Sequence, residues 1–295
     1  MKILALDIGG TALKVAKTTI HGEILESAEY PSHGKLGGKH IMKTICEIIG
    51  QASDYDLIGI STCGQVDIKS GSIVFANDNV PNYTGMQIKK ILEEKFKVPV
   101  QVENDVNAAA LGEAYYGAGR EYENFLCLTY GTGIGGAIII NRHIYGGSKG
   151  VAGEFGHILT HPDGLECTCG QRGCYEQYAS TTALVRGAME IDSKYENGRM
   201  IFEDFRRGNV EIKEVIDQWI DELILGLISL VHVFNPNCLI LGGGVLNQDY
   251  IIEEINNRLF DKLMPSYRDI VIKKAELGNN AGVLGATQIA LTKYK

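Results

Sequence analysis

Proline is scarce in this chain of 295 residues, at six, tryptophan occurs once, and no run of Lys or Arg exceeds two. With so little proline and no Pro-, Ser- or Gly-rich linker, collagen-like and low-complexity readings fall away. The lack of basic runs matches a formal net charge of −8, from 28 Lys+Arg against 36 Asp+Glu, and a pI near 5.4. A free-standing nucleic-acid binder carries a basic patch, so no nucleic-acid partner is expected. Long apolar runs are missing too. The longest, 223–233, falls well short of the ~20 residues of a membrane helix and is bounded by Glu222 and by Asn235-Pro236. Only four apolar residues in a row precede Asp7, too few for an export signal. No membrane partner is expected. The acidic balance suits a soluble, cytoplasmic protein that handles small molecules.

What is abundant is glycine, 36 residues, clustered in turns between apolar runs. Such turns bring backbone close to a neighbour or a ligand. Cysteines number seven. Cys46, Cys63, Cys127 and Cys238 stand alone in apolar surroundings and read as reduced core thiols. Cys167, Cys169 and Cys174 fall within eight residues and need another explanation.

The element pattern repeats. Residues 3–8 form an apolar run, Gly9-Gly10-Thr11 a turn, and 12–19 and 23–29 two further strands. Roughly 120 residues on, 125–130 is a strand, Gly131-Thr132-Gly133 a turn and 134–140 a strand, which suggests a duplicated domain. Between and after these come helices at 40–52, 85–96, 105–116, 176–190, 212–234, 248–264 and 280–292. Strands fall at 57–62, 100–103, 238–241 and 269–273. Alternation of this kind predicts an α/β fold with mixed sheets. Two such halves would leave a cleft between them for a ligand.

Several stretches carry candidate chemistry. Asp7-Ile8-Gly9-Gly10-Thr11 sets an acid at a strand end before glycines whose N–H groups can approach a phosphate. Asp7 could hold Mg²⁺; a plain hairpin turn is the alternative. Gly131-Thr132-Gly133-Ile134-Gly135-Gly136 is a matching tip in the second half, and two tips strengthen the phosphate reading. Neither ends in the Gly-Lys-Ser/Thr of a phosphate-binding P-loop. Glu103-Asn104-Asp105 opens a helix. One of its residues can serve as the N-cap, and a carboxylate beside it as a base for a hydroxyl proton. Gly153-Glu154-Phe155-Gly156-His157 could bind vicinal hydroxyls. Cys167, Cys169 and Cys174 offer three soft ligands, with His157 or His161 as the fourth of a closed, structural Zn²⁺ site. Free thiols or an adventitious disulfide are the alternatives. Gly242-Gly243-Gly244 after a strand would let a flat ring lie against backbone.

Taken together these stretches resemble the ROK family of sugar kinases, within the actin-like/hexokinase fold group. The likeness spans the chain. Its most specific part is Glu154-Phe155-Gly156-His157 followed by Cys167-x-Cys169-Gly-x-x-Gly-Cys174-x-Glu176. The resemblance implies two actin-like (ribonuclease H-like) ATPase domains, 1–117 and 118–280, with a zinc loop at 157–176 and a final helix, 281–295, packing back on the first. It implies that Asp105 is the general base for a sugar 6-hydroxyl. Gly64, Asn104, Glu154, His157 and Glu176 would hold the sugar. Asp7 would coordinate Mg²⁺. Gly9, Gly10, Thr11, Thr132, Gly133, Gly135 and Gly136 would hold the ATP phosphates, with Gly242, Gly243 and Gly244 under adenosine. His157, Cys167, Cys169 and Cys174 would bind zinc, and a homodimer is implied.

Two positions depart from the family: Cys63 stands where Pro is frequent, and Tyr83 where Trp is. Stretches 7–14, 231–236 and 278–282 are similar to bacterial β-glucoside kinases, so the expected substrate is a β-glucoside such as cellobiose. Glucokinase and N-acetylmannosamine kinase are the alternatives. A sugar-responsive repressor of the same family would carry an N-terminal DNA-binding headpiece, and the first strand at Ile3 leaves no room for one.

Overall fold

The computed structural model describes residues 1–292. In chain order the strands and helices begin β1 (Lys2–Ile8), β2 (Ala12–Thr19), β3 (Ile24–Pro31), α1 (Gly38–Gln51), β4 (Leu57–Thr62), β5 (Gln65–Asp67) and β6 (Ser72–Phe75). There follow α2 (Ile88–Phe96), β7 (Val100–Asn104), α3 (Asp105–Tyr116), β8 (Phe125–Tyr130), β9 (Ile134–Ile140) and β10 (His143–Ile144). The chain closes with α4 (Glu176–Ala179), α5 (Thr181–Ile191), α6 (Gly198–Arg206), α7 (Val210–Phe234), β11 (Cys238–Gly242), α8 (Asp249–Leu259), β12 (Val271–Lys274) and α9 (Ala281–Leu291).

Two five-stranded sheets share one plan, β3-β2-β1-β4-β7 and β10-β9-β8-β11-β12. In the first, β1 pairs antiparallel with β2 and parallel with β4, and β4 pairs parallel with β7. In the second, β11 lies parallel to both β8 and β12. The duplicated pattern of the sequence is therefore a duplicated mixed sheet. The chain divides into two compact units. One is Met1–Glu123 with Ile138–Ala152 and Glu276–Lys295; the other is Asn124–Ala137 with Gly153–Ala275. Division by sequence alone puts the ribbon after Ala137 in the second half, but it groups with the first unit. The Arg142 guanidinium explains this: it donates to the carbonyls of Ala114 (2.6 Å) and Arg120 (2.8 Å) and lies over the Tyr115 ring.

The first sheet shows how strand alternation places a site. Side chains along a strand point to opposite faces in turn. Leu4, Leu6 and Ile8 pack with Ile41, Ile45 and Ile49 of α1. Ala5 packs with Val283 and Ala286, and Ile3 with Ala290, all on α9. Asp7 is in step with Ile3 and Ala5, so its carboxylate faces α9. Both faces of β1 and β4 are covered, which is why they read as continuous apolar runs. α9 approaches closely enough that a Cβ on Gly59 would lie 1.9 Å from the Ala286 carbonyl, and one on Gly285 would lie 1.8 Å from that of Ala108. Ala108 and Gly112, four residues apart on α3, are thus small residues on the face against α9.

Several boundaries differ from expectation: the helix expected over 85–96 starts at Ile88, the strand expected over 269–273 runs Val271–Lys274, and two helices change more. The helix expected over 176–190 breaks at Ser180, whose backbone is extended and whose hydroxyl caps α5 by accepting the Ala183 N–H at 3.2 Å. The helix expected over 248–264 ends at Leu259 and continues as a 3-10 turn. Among the described residues no helix is long and apolar enough to cross a membrane.

Candidate active site

In the first unit the site grows from the ends of β1, β4 and β7. Asp7, last but one in β1, accepts a hydrogen bond from the Ser61 hydroxyl at 2.6 Å. A Cβ on Gly282 would come within 2.3 Å of its carboxylate, so α9 starts against it. Burial raises the Asp7 carboxyl above its usual range, against the lowering effects of Ser61 and Lys14. Gly9, Gly10 and Thr11 form the β1–β2 turn, where the Gly9 N–H donates to the Ala12 carbonyl at 2.9 Å. Gly10 and Thr11 are exposed.

At the end of β7 the neighbours show which residue caps the helix. Asn104 is the N-cap of α3, accepting from the Val106 N–H (2.9 Å) and the Asn107 N–H (3.2 Å). Its amide donates to the Gly64 carbonyl (3.0 Å) and to Asp105 Oδ1 (2.9 Å). Asp105 is the first helical residue, and its Oδ1 shares the Val106 N–H with Asn104, at 2.9 Å. Burial first, and then the like charge of Asp7, push its carboxyl from 3.8 up to about 6. Glu103 is buried beneath, accepting from the Asn104 N–H (2.9 Å) and the Asn107 amide (3.1 Å).

Gly64 has φ +93°, and a Cβ there would lie 2.8 Å from the Phe75 carbonyl. Only glycine fits that turn without strain. Cys63 is half-buried, its thiol pushed up to about 11 by burial and by the Asp105 carboxylate. Tyr83 is fully buried with its hydroxyl 2.7 Å from that of Thr62. Tyrosine therefore serves here as a core residue that braces the end of β4.

The second unit carries the other candidates. In the β8–β9 turn, the Gly131 N–H donates to the Gly133 carbonyl at 2.9 Å, and the Thr132 carbonyl accepts from the Thr182 hydroxyl at 2.8 Å. A cavity of about 700 Å³ opens beside it, in the size range of small-ligand sites. Thr132 and Gly131 line it with Gly244, Arg199, Phe202 and Gln248. Not all the expected nucleotide glycines do. Gly243, at φ +108°, is held by close approach to the Tyr130 carbonyl, and Gly136 by the Phe155 ring and the Gly153 carbonyl. α6, which brings Arg199 and Phe202, is absent from the expected elements. Its signals were the Asn197 N-cap and the apolar spacing Ile201, Phe202, Phe205.

His157, Cys167, Cys169 and Cys174 form one cluster, with ligand atoms within 4.8 Å of one another. Cys169 Sγ lies 3.6 Å from Cys174 Sγ, and Cys167 Sγ 3.7 Å from His157 Nδ1. No disulfide joins the thiols. A tetrahedron with bonds of ~2.3 Å has edges of about 3.8 Å, so the spacing fits Zn²⁺. His161 stands apart from this cluster, stacked on Tyr178 with Nε2 3.4 Å from Glu222. The His157 ring turns Nδ1 to the thiols and Nε2 toward Glu154, 3.9 Å away. Glu176, at the start of α4, reaches both the cluster and the β8–β9 turn: Oε1 is 3.3 Å from Cys167 Sγ, and Oε2 accepts from the Ile134 N–H at 3.4 Å.

The model of the ROK family matches residues 3–293. The chain belongs to the ROK family. A glucokinase of Thermotoga maritima is 30% identical over 308 residues, covering 98% of this chain and 97% of its own. A β-glucoside kinase of Listeria monocytogenes is 32% identical, covering 97% and 96%. The crystal structure of a ROK family glucokinase from Streptomyces griseus in complex with glucose and AMPPNP superposes with a TM-score of 0.85 at 32% identity, covering 98% of this chain and 99% of that one. The fold of this ROK protein is the actin-like ATPase α/β fold with mixed sheets, and the family supports sugar kinase activity.

Proposed function

We propose that this ROK protein transfers the γ-phosphoryl group of ATP to the 6-hydroxyl of a β-glucoside such as cellobiose, giving the 6-phospho-β-glucoside and ADP. The observation that carries the transfer is Asp105, held at the start of α3 by the Asn104 amide and the Val106 N–H on Oδ1, and raised to about 6 by burial and by Asp7. A base works best when its pKa lies near the working pH. The Asp105 carboxylate accepts the hydroxyl proton as the sugar oxygen attacks the γ-phosphorus, and the electron pair of the breaking P–O bond leaves on ADP. Such a transfer asks for positioning and charge neutralisation rather than covalent chemistry from the protein.

Gly64 and Asn104, with Glu154, His157 and Glu176, are assigned to the sugar hydroxyls. Gly9, Gly10, Thr11, Thr132, Gly133 and Gly135 are assigned to the phosphates, and Gly244, which lines the cavity, to the nucleotide. Asp7, a half-buried carboxylate facing the like charge of Asp105, suits a cation, and is assigned to Mg²⁺, which neutralises phosphate charge when bound. The Cys₃His cluster is assigned to a closed, structural Zn²⁺. The choice of a β-glucoside rests on residues 7–14, 231–236 and 278–282, and a homodimer on family likeness.

The test is sugar-dependent ADP release from ATP·Mg²⁺, with the phosphorylated carbon located by ³¹P NMR. Turnover selective for cellobiose over glucose, N-acetylmannosamine and fructose supports the reading. A free monosaccharide as the best substrate overturns the β-glucoside assignment, and no sugar-dependent ADP overturns the kinase.

A further inference from the structure

Glu176 is the one side chain described at both the thiol cluster and the β8–β9 turn. Its side chain is only 15% exposed. One carboxylate oxygen lies 3.3 Å from Cys167 Sγ and 3.9 Å from His157 Nδ1. The other accepts the Ile134 N–H, and it occupies the space a Cβ on Gly133 would need, 2.5 Å away. Gly133 is therefore glycine for two separable reasons. One is access of a phosphate to backbone; the other is room for this carboxylate.

α4 is a single turn, too short to be held by its own hydrogen bonds. Its place is set by its surroundings. Cys174 lies two residues before Glu176, and its backbone pairs with Leu159 across the loop. The Tyr175 N–H donates to the Ile158 carbonyl at 2.8 Å, and the Tyr175 hydroxyl donates to the Leu223 carbonyl at 2.7 Å. The carboxylate is thus delivered from a segment whose one end is a cluster ligand.

We infer that Glu176 is a positioning residue for the nucleotide, tying the turn Gly131–Ile134 to the Cys₃His cluster, so that filling the cluster with zinc sets the affinity for ATP in the absence of sugar. The inference rests on the proposed phosphate role of that turn. With its Ile134 N–H engaged by Glu176, the turn keeps one conformation, and a nucleotide does not have to order it on binding. A residue that only held sugar hydroxyls would leave nucleotide affinity without sugar untouched.

The experiment is calorimetric titration of zinc-replete protein with Mg²⁺·AMPPNP, no sugar present, with zinc content measured on each sample and folding checked by thermal melting. Glu176→Ala is expected to weaken AMPPNP about five- to tenfold, the loss of one charge-assisted hydrogen bond, with zinc retained. Glu176→Gln, which can still accept from Ile134, is expected to stay within about threefold of wild type. Gly133→Ala is expected to weaken binding in the Glu176 background and to add less than about twofold to Glu176→Ala, because the colliding carboxylate is gone. Chelating zinc from wild type is expected to reproduce the Glu176→Ala loss. Folded, zinc-replete Glu176→Ala protein that binds AMPPNP as wild type does would overturn the inference. Wild type that binds no AMPPNP would instead overturn the kinase reading on which it rests.

Discussion

The role proposed for Asp105 depends on the residue before it. Asn104 accepts the Val106 and Asn107 N–H groups, and the carboxylate that follows, half-buried and sharing the Val106 N–H, is raised to about 6 by burial and by the charge of Asp7. Two consequences follow from that value. Sugar-dependent turnover should fall as pH drops through about 6, because the protonated acid accepts no proton. A profile flat from pH 8 to pH 5 would contradict the base assignment. Stability runs the other way. A carboxyl whose folded pKa lies above its ordinary 3.8 contributes stability that is fully present below 3.8 and lost as pH rises through about 6. Asp105→Asn should therefore be more stable than wild type at pH 7, by on the order of 1–3 kcal/mol, as read from chemical denaturation. A less stable variant would mean that the charge is better compensated than its neighbours indicate. The identity of this segment was legible in the sequence, but the division of labour within it was not. Glu103, Asn104 and Asp105 can each cap a helix, and only the direction of Asn104 toward Gly64 decides.

At the scale of elements, the fold depends on small residues where α9 meets its neighbours. Gly285 has no room for a methyl group beside the Ala108 carbonyl. Gly285→Ala must push α9 off α3, at a cost of about 1–3 kcal/mol, measurable as a lower denaturation midpoint. An unchanged midpoint would mean that the two helices separate freely. The Cys₃His loop, proposed to hold zinc, is the other element without a core of its own. Chelation of zinc, or Cys174→Ser, should lower the melting temperature of the zinc-loaded protein, since bound metal is folding energy for such loops. A melting temperature indifferent to chelation would argue for free thiols. The closeness of Cys167, Cys169 and Cys174 in the sequence made their clustering in space legible. His157 and His161 were both open as fourth ligand, and the stacking of His161 on Tyr178 separates them. α6 escaped notice because Asn197-Gly198 reads as a turn until the apolar face of Ile201 and Phe202 is seen buried. The break at Ser180 was equally hidden, since serine is tolerated within helices as well as at their starts.

For the whole molecule, one pattern used twice gives two sheets of identical strand order, and the repeat near residues 3 and 125 made that visible. The sequence division hid the return of residues after Ala137 to the first unit, which is held by Arg142 reaching backbone carbonyls rather than by any periodic signal. The sugar is the least legible feature, because the residues assigned to it are those the family resemblance supplies. The central claim is transfer to a sugar hydroxyl with Asp105 as base. Its most direct test is sugar-dependent ADP release by wild type and Asp105→Asn, side by side on the best sugar. The account predicts sugar-stimulated turnover for wild type and a loss of about 10²–10⁴-fold for the variant, with sugar binding retained by calorimetry. A variant that keeps half the wild-type rate would contradict it.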